Sequence, residues 1–128
     1  MLWRGLNSLP EGALDVGSLC GNDIDLTEAL SRTLFLNPGR IEASIEELEE
    51  QALELDKKGD ILRARINYET AGRLALAKSD IESVRRCFSR SADLETNEHL
   101  IKIFRILASE AVEAVEAAKK YYQMIAST

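Results

Sequence analysis

The chain is expected to be all-α, an array or bundle of about five helices folded back on one another as antiparallel hairpins. Three observations lead there. Isoleucine recurs every twenty residues, at Ile41, Ile61, Ile81 and Ile101, and each block reads as one helix with its turn. The first two blocks close on nearly the same words, Lys58-Gly59-Asp60 and Lys78-Ser79-Asp80, a stop signal followed at once by a start signal. The apolar residues make up 45% of 128 and are led by Ala and Leu, with only 5% aromatics, which suits closely packed helices better than a sheet.

Residues 1–23 hold Gly5, Gly12, Gly17 and Gly21 and show no apolar period. They are expected to form an irregular arm, with a short turn of helix at Leu9-Pro10-Glu11, and the helical-hairpin domain is expected to span 24–128. Asp25 or Thr27 would cap a first helix over Leu26 to Leu36, with Leu26, Ala29, Leu30 and Leu34 on one face, and Asn37-Pro38-Gly39 would end it. The next helix carries the stripe Ile41, Ile45, Leu48, Ala52, Leu55. Lys57 and Lys58 set cations against its last carbonyls, and Gly59 supplies a left-handed cap. Asp60 and Asp80 then offer carboxylates to the free N–H groups of the helices that follow. A helix that stops and restarts within so few residues must fold back antiparallel. The third break is softer: Thr96 or Asn97 is the cap, and the last helix should begin near Glu98.

Two columns of the repeat describe its packing. The eighth position holds Leu48, Tyr68, Phe88 and Ala108; the twelfth holds Ala52, Gly72, Ala92 and Val112. Small side chains in the twelfth let neighbouring helices approach, while larger ones fill the space one turn earlier. Ala52, Gly72 and Ala92 should therefore lose nearly all exposure.

The residues Leu48, Ala52, Leu55, Gly59-Asp60, Ala64, Tyr68 and Ala71 resemble one tetratricopeptide repeat. Shifted by twenty, Tyr68, Gly72, Ala75, Ser79-Asp80, Val84 and Phe88 give a degenerate second copy, with Ser91 where Ala is expected and Leu76 where the closing proline belongs. The resemblance covers roughly residues 41–95. It implies right-handed stacking of hairpins and a protein or peptide partner, and it is nearly silent about which one. The same stretch is similar to the MIT domain, a three-helix module that docks tail helices of membrane-remodelling proteins. Ala52, Asp56, Gly59, Ala64, Tyr68 and Ala71 fit its first two helices, and the run Phe88 to Leu94 fits its third. The flanking helices, over 26–36 and 98–125, have no place in a minimal domain of that kind.

No catalytic chemistry is expected, and no cofactor or metal. His99, the one histidine, should be an exposed residue in a helix's first turn. No metal-ligand spacing, phosphate loop, nucleophile elbow or dinucleotide fingerprint occurs. A net charge of −6 argues against nucleic acid and against an anionic membrane surface. No run of apolar residues is long enough to span a bilayer, and Met1 to Asn7 shows no basic leader, so no integral membrane association is expected. Cys20 and Cys87 are isolated thiols, expected to be reduced in the cytoplasm.

Charge is segregated along the chain. Ile41 to Asp60 is strongly acidic, whereas from Ile61 to Arg90 the residues Arg63, Arg65, Arg73, Lys78, Arg85, Arg86 and Arg90 outnumber Glu69, Asp80 and Glu82. Two readings follow. The arginines pair with neighbouring acidic helices, or they form a groove for an acidic peptide, with Arg65, Tyr68, Arg85, Arg86 and Arg105 as binding residues. Arg65, Arg85 and Arg105 share a column, so alternation of helix direction should place Arg65 and Arg105 at one end and Arg85 at the other. In the last helix Ile101, Phe104, Ala108, Ala111, Val115, Ala118, Tyr122 and Ile125 continue a heptad seam. Its far end should overhang the bundle, offering Ala111, Val115, Ala118, Tyr122 and Ile125 to a second copy as a homodimer seam. The alternative is that the arm, with Trp3, Leu6, Leu9 and Leu14, folds over it. The leading expectation is a scaffold or adaptor that binds a partner's peptide or helix; the others are a self-associating structural unit and an MIT-like docking domain.

Overall fold

The computed structural model describes residues 16–21, 23–34 and 38–126. Among them are seven α-helices and no strand: α1 (Val16–Leu19), α2 (Ile24–Thr33), α3 (Ile45–Lys57), α4 (Ile61–Ala77), α5 (Ile81–Leu94), α6 (Glu98–Ser109) and α7 (Ala111–Ala126). None of these helices is long and apolar enough to cross a membrane.

The helix starts follow from local polar chemistry. Asp23, rather than Asp25 or Thr27, caps α2: its carboxylate accepts the Leu26 N–H at 3.1 Å, and the Thr27 hydroxyl donates back to the Asp23 carbonyl. Leu26, Ala29, Leu30 and Leu34 are buried as their spacing requires. The helix ends earlier than the expected Leu36: Thr33 is its last residue and the Leu34 N–H closes it on the Leu30 carbonyl, while Pro38 to Arg40 form a separate tight turn. Leu36, Asn37, Leu9-Pro10-Glu11 and the arm's Trp3, Leu6, Leu9 and Leu14 lie outside the described residues. Helix α3 begins at Ile45, four residues later than the repeat suggested. The Ser44 hydroxyl accepts the Glu47 N–H at 3.1 Å while the Glu47 carboxylate accepts the Ser44 N–H at 2.8 Å. That reciprocal capping box fixes the boundary and leaves Ile41 in the linker before it.

The two similar turns are one structure used twice. Asp60 N–H donates to the Leu55 carbonyl (2.8 Å) and Gly59 N–H to Asp56; Asp80 N–H donates to Ala75 (3.0 Å) and Ser79 N–H to Leu76. This is a Schellman closure, with Gly59 at φ 83° and Ser79 at φ 59° in the left-handed region. A serine there carries a steric cost that glycine does not. Asp60 and Asp80 then cap α4 and α5 through the N–H groups of Arg63 and Ser83. At the third turn the Asn97 side chain accepts the Leu100 N–H, and α6 begins at Glu98 as expected.

Helices α3, α4, α5 and α6 each pack on the next. Helix α7 crosses back over α4 and α5, α2 lies against α6, and α1 touches α2 and α7. The expectation of one long last helix is overturned. Glu110, at φ −109° and ψ 38°, ends α6, and its own carbonyl accepts the Ala114 N–H of α7. The alanine-rich face of α7 folds into the core, which a straight continuation would have left outside.

Within α3 to α5 the columns pack as expected: Ala52 is 0% exposed, Ala92 is 2%, and Gly72 is buried. A Cβ on Gly72 would stand 2.7 Å from the Phe88 ring, so the glycine is what lets α4 and α5 close on each other. Phe88 in turn stacks on Phe104 of α6, with centroids 5.9 Å apart. Val112, the fourth member of the small column, is 48% exposed, because the bend at Glu110 turns its block away from the array.

Candidate functional site

The arginines on α4 to α6 were the sequence's candidate site, and the fold separates them into three groups. The first is spent inside the molecule. Arg65 Nη1 lies 2.8 Å from Glu95 Oε1, an ion contact without hydrogen-bond geometry, and 3.9 Å from Glu69. Arg73 donates to Glu69 at 2.6 Å and reaches the Arg32 carbonyl at 3.4 Å. Glu95 and Glu69 are largely buried, so this chain of charges ties α4 to the end of α5 and to α2.

The second group clasps α3 to α5. Arg86 gives a two-pronged hydrogen bond to Glu49, Nε at 2.6 Å and Nη2 at 2.8 Å. These bonds hold the Glu49 carboxyl below its ordinary pKa, against the opposing effect of partial burial. The adjacent Cys87 thiol is wholly buried in the core, and its pKa is pushed up, chiefly by that burial and then by the Glu49 charge. Tyr68, 3% exposed, floors a small cleft of about 130 Å³ beside this clasp, with Glu49, Leu53, Arg86 and Arg90 around it. The Arg90 guanidinium stands 5.9 Å from the Tyr68 ring centroid.

The third group faces outward. Arg85 of α5 and Arg105 of α6 line one open hollow of about 370 Å³ with Ser89, Ala108 and Ser109. Arg85 is exposed and has no carboxylate partner among the described residues. Arg105 is 3.5 Å from Asp93, but both side chains are about three-fifths exposed, and such a pair is held weakly. Arg105 reaches the same end of α5 as Arg65, as expected, since Asp93 stands two residues from Glu95, the partner of Arg65. The unexpected feature is that Arg105 also lines a hollow with Arg85.

The expected seam of the last helix is corrected. Ala111 (1% exposed), Val115 (3%) and Ala118 (0%) are buried within this chain, and the Tyr122 hydroxyl donates to the Leu34 carbonyl at 3.4 Å. Burial pushes the Tyr122 phenol up to about 12. Ile125 remains 43% exposed, at the end of α7. A surface already covered by the fold cannot also pair with a second copy.

Some features were not anticipated. The partners Glu95, Glu69 and Glu49 were not assigned, although Arg65-Glu69 and Glu69-Arg73 stand four apart, a spacing that announces pairs on a helix. A hollow of about 320 Å³ between α2, α4 and α6, bounded by Thr33, Glu69, Arg73, Leu100, Ile103 and Phe104, draws on three separated segments and left no local signal. His99 is exposed in the first turn of α6 as expected, and its Nε2 is 3.0 Å from Glu28 of α2. Among the described residues no group of three or more His, Cys, Asp or Glu is placed to hold a metal ion. Comparison with protein-family models, with curated proteins and with solved structures gives no match.

Proposed function

We propose that this chain is a protein-interaction module, a tetratricopeptide-like array of helical hairpins that takes an acidic segment of a protein partner in the cytoplasm and performs no catalysis. One observation carries the reading: Arg85 and Arg105 share an open hollow while Arg65, Arg73 and Arg86 are occupied by Glu95, Glu69 and Glu49. Once the internal pairs are made, that hollow sets Arg85, which has no carboxylate partner among the described residues, beside the weakly held Arg105. A guanidinium offers a rigid fork of donors that matches a carboxylate, and two of them beside the serines Ser89 and Ser109 suit a segment with spaced Asp or Glu side chains. The exposed surface is shallow, which fits an extended or helical peptide better than a small molecule.

A displayed library of random peptides, selected on the folded protein, tests the reading. The selected peptides should be enriched in Asp and Glu and should be lost when Arg85→Gln and Arg105→Gln are combined. Peptides without that enrichment, or peptides retained by the double variant, would place the binding surface elsewhere.

A further inference from the structure

We infer that the acidic segment accepted at Arg85 and Arg105 is the outward face of α3 on a second copy of this chain, so that copies join head to tail. The inference rests on the reading of the arginine hollow given above. Helix α3 is the edge of the α3–α6 array: it packs on α4, reaches α5 through Glu49, and carries no other helix on its far side among the described residues. There Glu46, Glu50 and Glu54 recur every fourth residue, all exposed and none paired with a cation among the described residues. Like charges at that spacing repel and weaken the helix that bears them, a cost that an opposed basic surface removes. Leu55 borders the stripe in an open hollow of about 400 Å³ that takes in Glu50, Gln51, Glu54 and, at the helix end, Lys58, so the acidic surface is strongest toward Glu46 and Glu50.

Charge complementarity selects the occupant. Within one chain the acidic α3 already meets the basic α5, through the Glu49–Arg86 fork at 2.6 and 2.8 Å. Next to Glu49 on α3 the acids turn outward, and next to Arg86 on α5 Arg85 turns outward. Repeating the same pairing between copies joins the outward acids of one to the outward arginines of the next. Each contact takes one acidic face against one basic face, a heterologous joint that builds an open chain or a ring. A twofold dimer would instead close both pairs at once, and mixing variants that each keep one face separates the two, because the mixture can close only one pair.

Sedimentation velocity on the full chain tests this, at ionic strengths of about 50 mM and about 500 mM. Two copies that each carry a net charge of −6 repel at long range, so general adhesion between them would strengthen as salt is added. A local pairing of opposite charges has the other sign: species heavier than the 14.2 kDa monomer should appear at low salt and dissolve at high salt. Two variants complete the test, one combining Glu46→Gln, Glu50→Gln and Glu54→Gln, the other combining Arg85→Gln and Arg105→Gln. Each keeps one face, so each alone should be monomeric, and their mixture should stop at a one-to-one dimer. Circular dichroism on the same samples confirms that both are folded. A wild type that stays monomeric at both salt concentrations, a variant that still assembles alone, or a mixture that fails to dimerise would overturn the inference. A monomeric wild type that still binds the selected acidic peptides through Arg85 and Arg105 would overturn it too, while leaving the acidic-segment reading intact and assigning the face to a different protein.

Discussion

The two faces of α5 make opposite uses of the same helix. Its inner face buries Val84, Cys87, Phe88, Ser91 and Ala92 against α4, α6 and α7. Its outer face presents Arg85, Arg86, Ser89 and Arg90. Between them runs a gradient. Phe88 is wholly enclosed, Arg86 is half exposed but tied to Glu49, and Arg85 is exposed without a carboxylate partner among the described residues. The lesson is that a run of arginines is not one site: adjacent residues 85 and 86 divide between holding the fold together and remaining open to a partner. Substitutions across the helix should reproduce that gradient in stability.

The largest effect belongs to Phe88→Ala. It removes a ring that is 0% exposed and stacked on Phe104, and should cost about 3–5 kcal/mol in urea denaturation. Gly72→Ala attacks the same contact from α4. The new Cβ would meet a ring that Phe104 prevents from moving aside, and overpacking costs about 1–3 kcal/mol. The better helix propensity of alanine returns about 1 kcal/mol, so a net loss is expected. A neutral or stabilising result would show that the helices can part there without cost.

At the rim, Arg86→Ala should cost about 1–3 kcal/mol near neutral pH, because it strands a carboxylate whose side chain is only 17% exposed. The pH dependence has a definite sign. Glu49 has its pKa lowered in the folded state, chiefly by the Arg86 hydrogen bonds, so its contribution is present above the unfolded carboxylate pKa. It is lost as pH falls through the folded value. The gap between wild type and Arg86→Ala should therefore narrow in acid; a gap that stays constant would mean the loss is one of packing. A smaller change of opposite sign is expected at the entry to α5, where Ser79→Gly should stabilise by about 1 kcal/mol by relieving the positive φ.

Much of this fold could be read before any coordinates. Turn chemistry was the most informative signal, since Lys-Gly-Asp and Lys-Ser-Asp each specify a left-handed closure and an immediate aspartate cap. The small column was legible because Ala52, Gly72 and Ala92 keep their phase while those turns repeat. The bend at Glu110 was not legible. It inserts no residue, so the three-four spacing of Phe104, Ala108, Ala111 and Val115 runs through it unbroken, and periodicity cannot distinguish a straight seam from a folded one. The late start of α3 was visible in Ser44 and Glu47 but was hidden by the repeat at Ile41. The division of the arginines was the least accessible feature, because Glu95 and Glu49 come from other helices and only the packed arrangement selects which cations they meet.

The central claim is that Arg85 and Arg105 are not needed by the fold. Equilibrium urea denaturation of the Arg85→Gln, Arg105→Gln double variant tests it most directly. The expected result is a free energy of unfolding within about 0.5 kcal/mol of wild type and an unchanged denaturant slope. A loss approaching that of Arg86→Ala would contradict it and return both arginines to the structural framework.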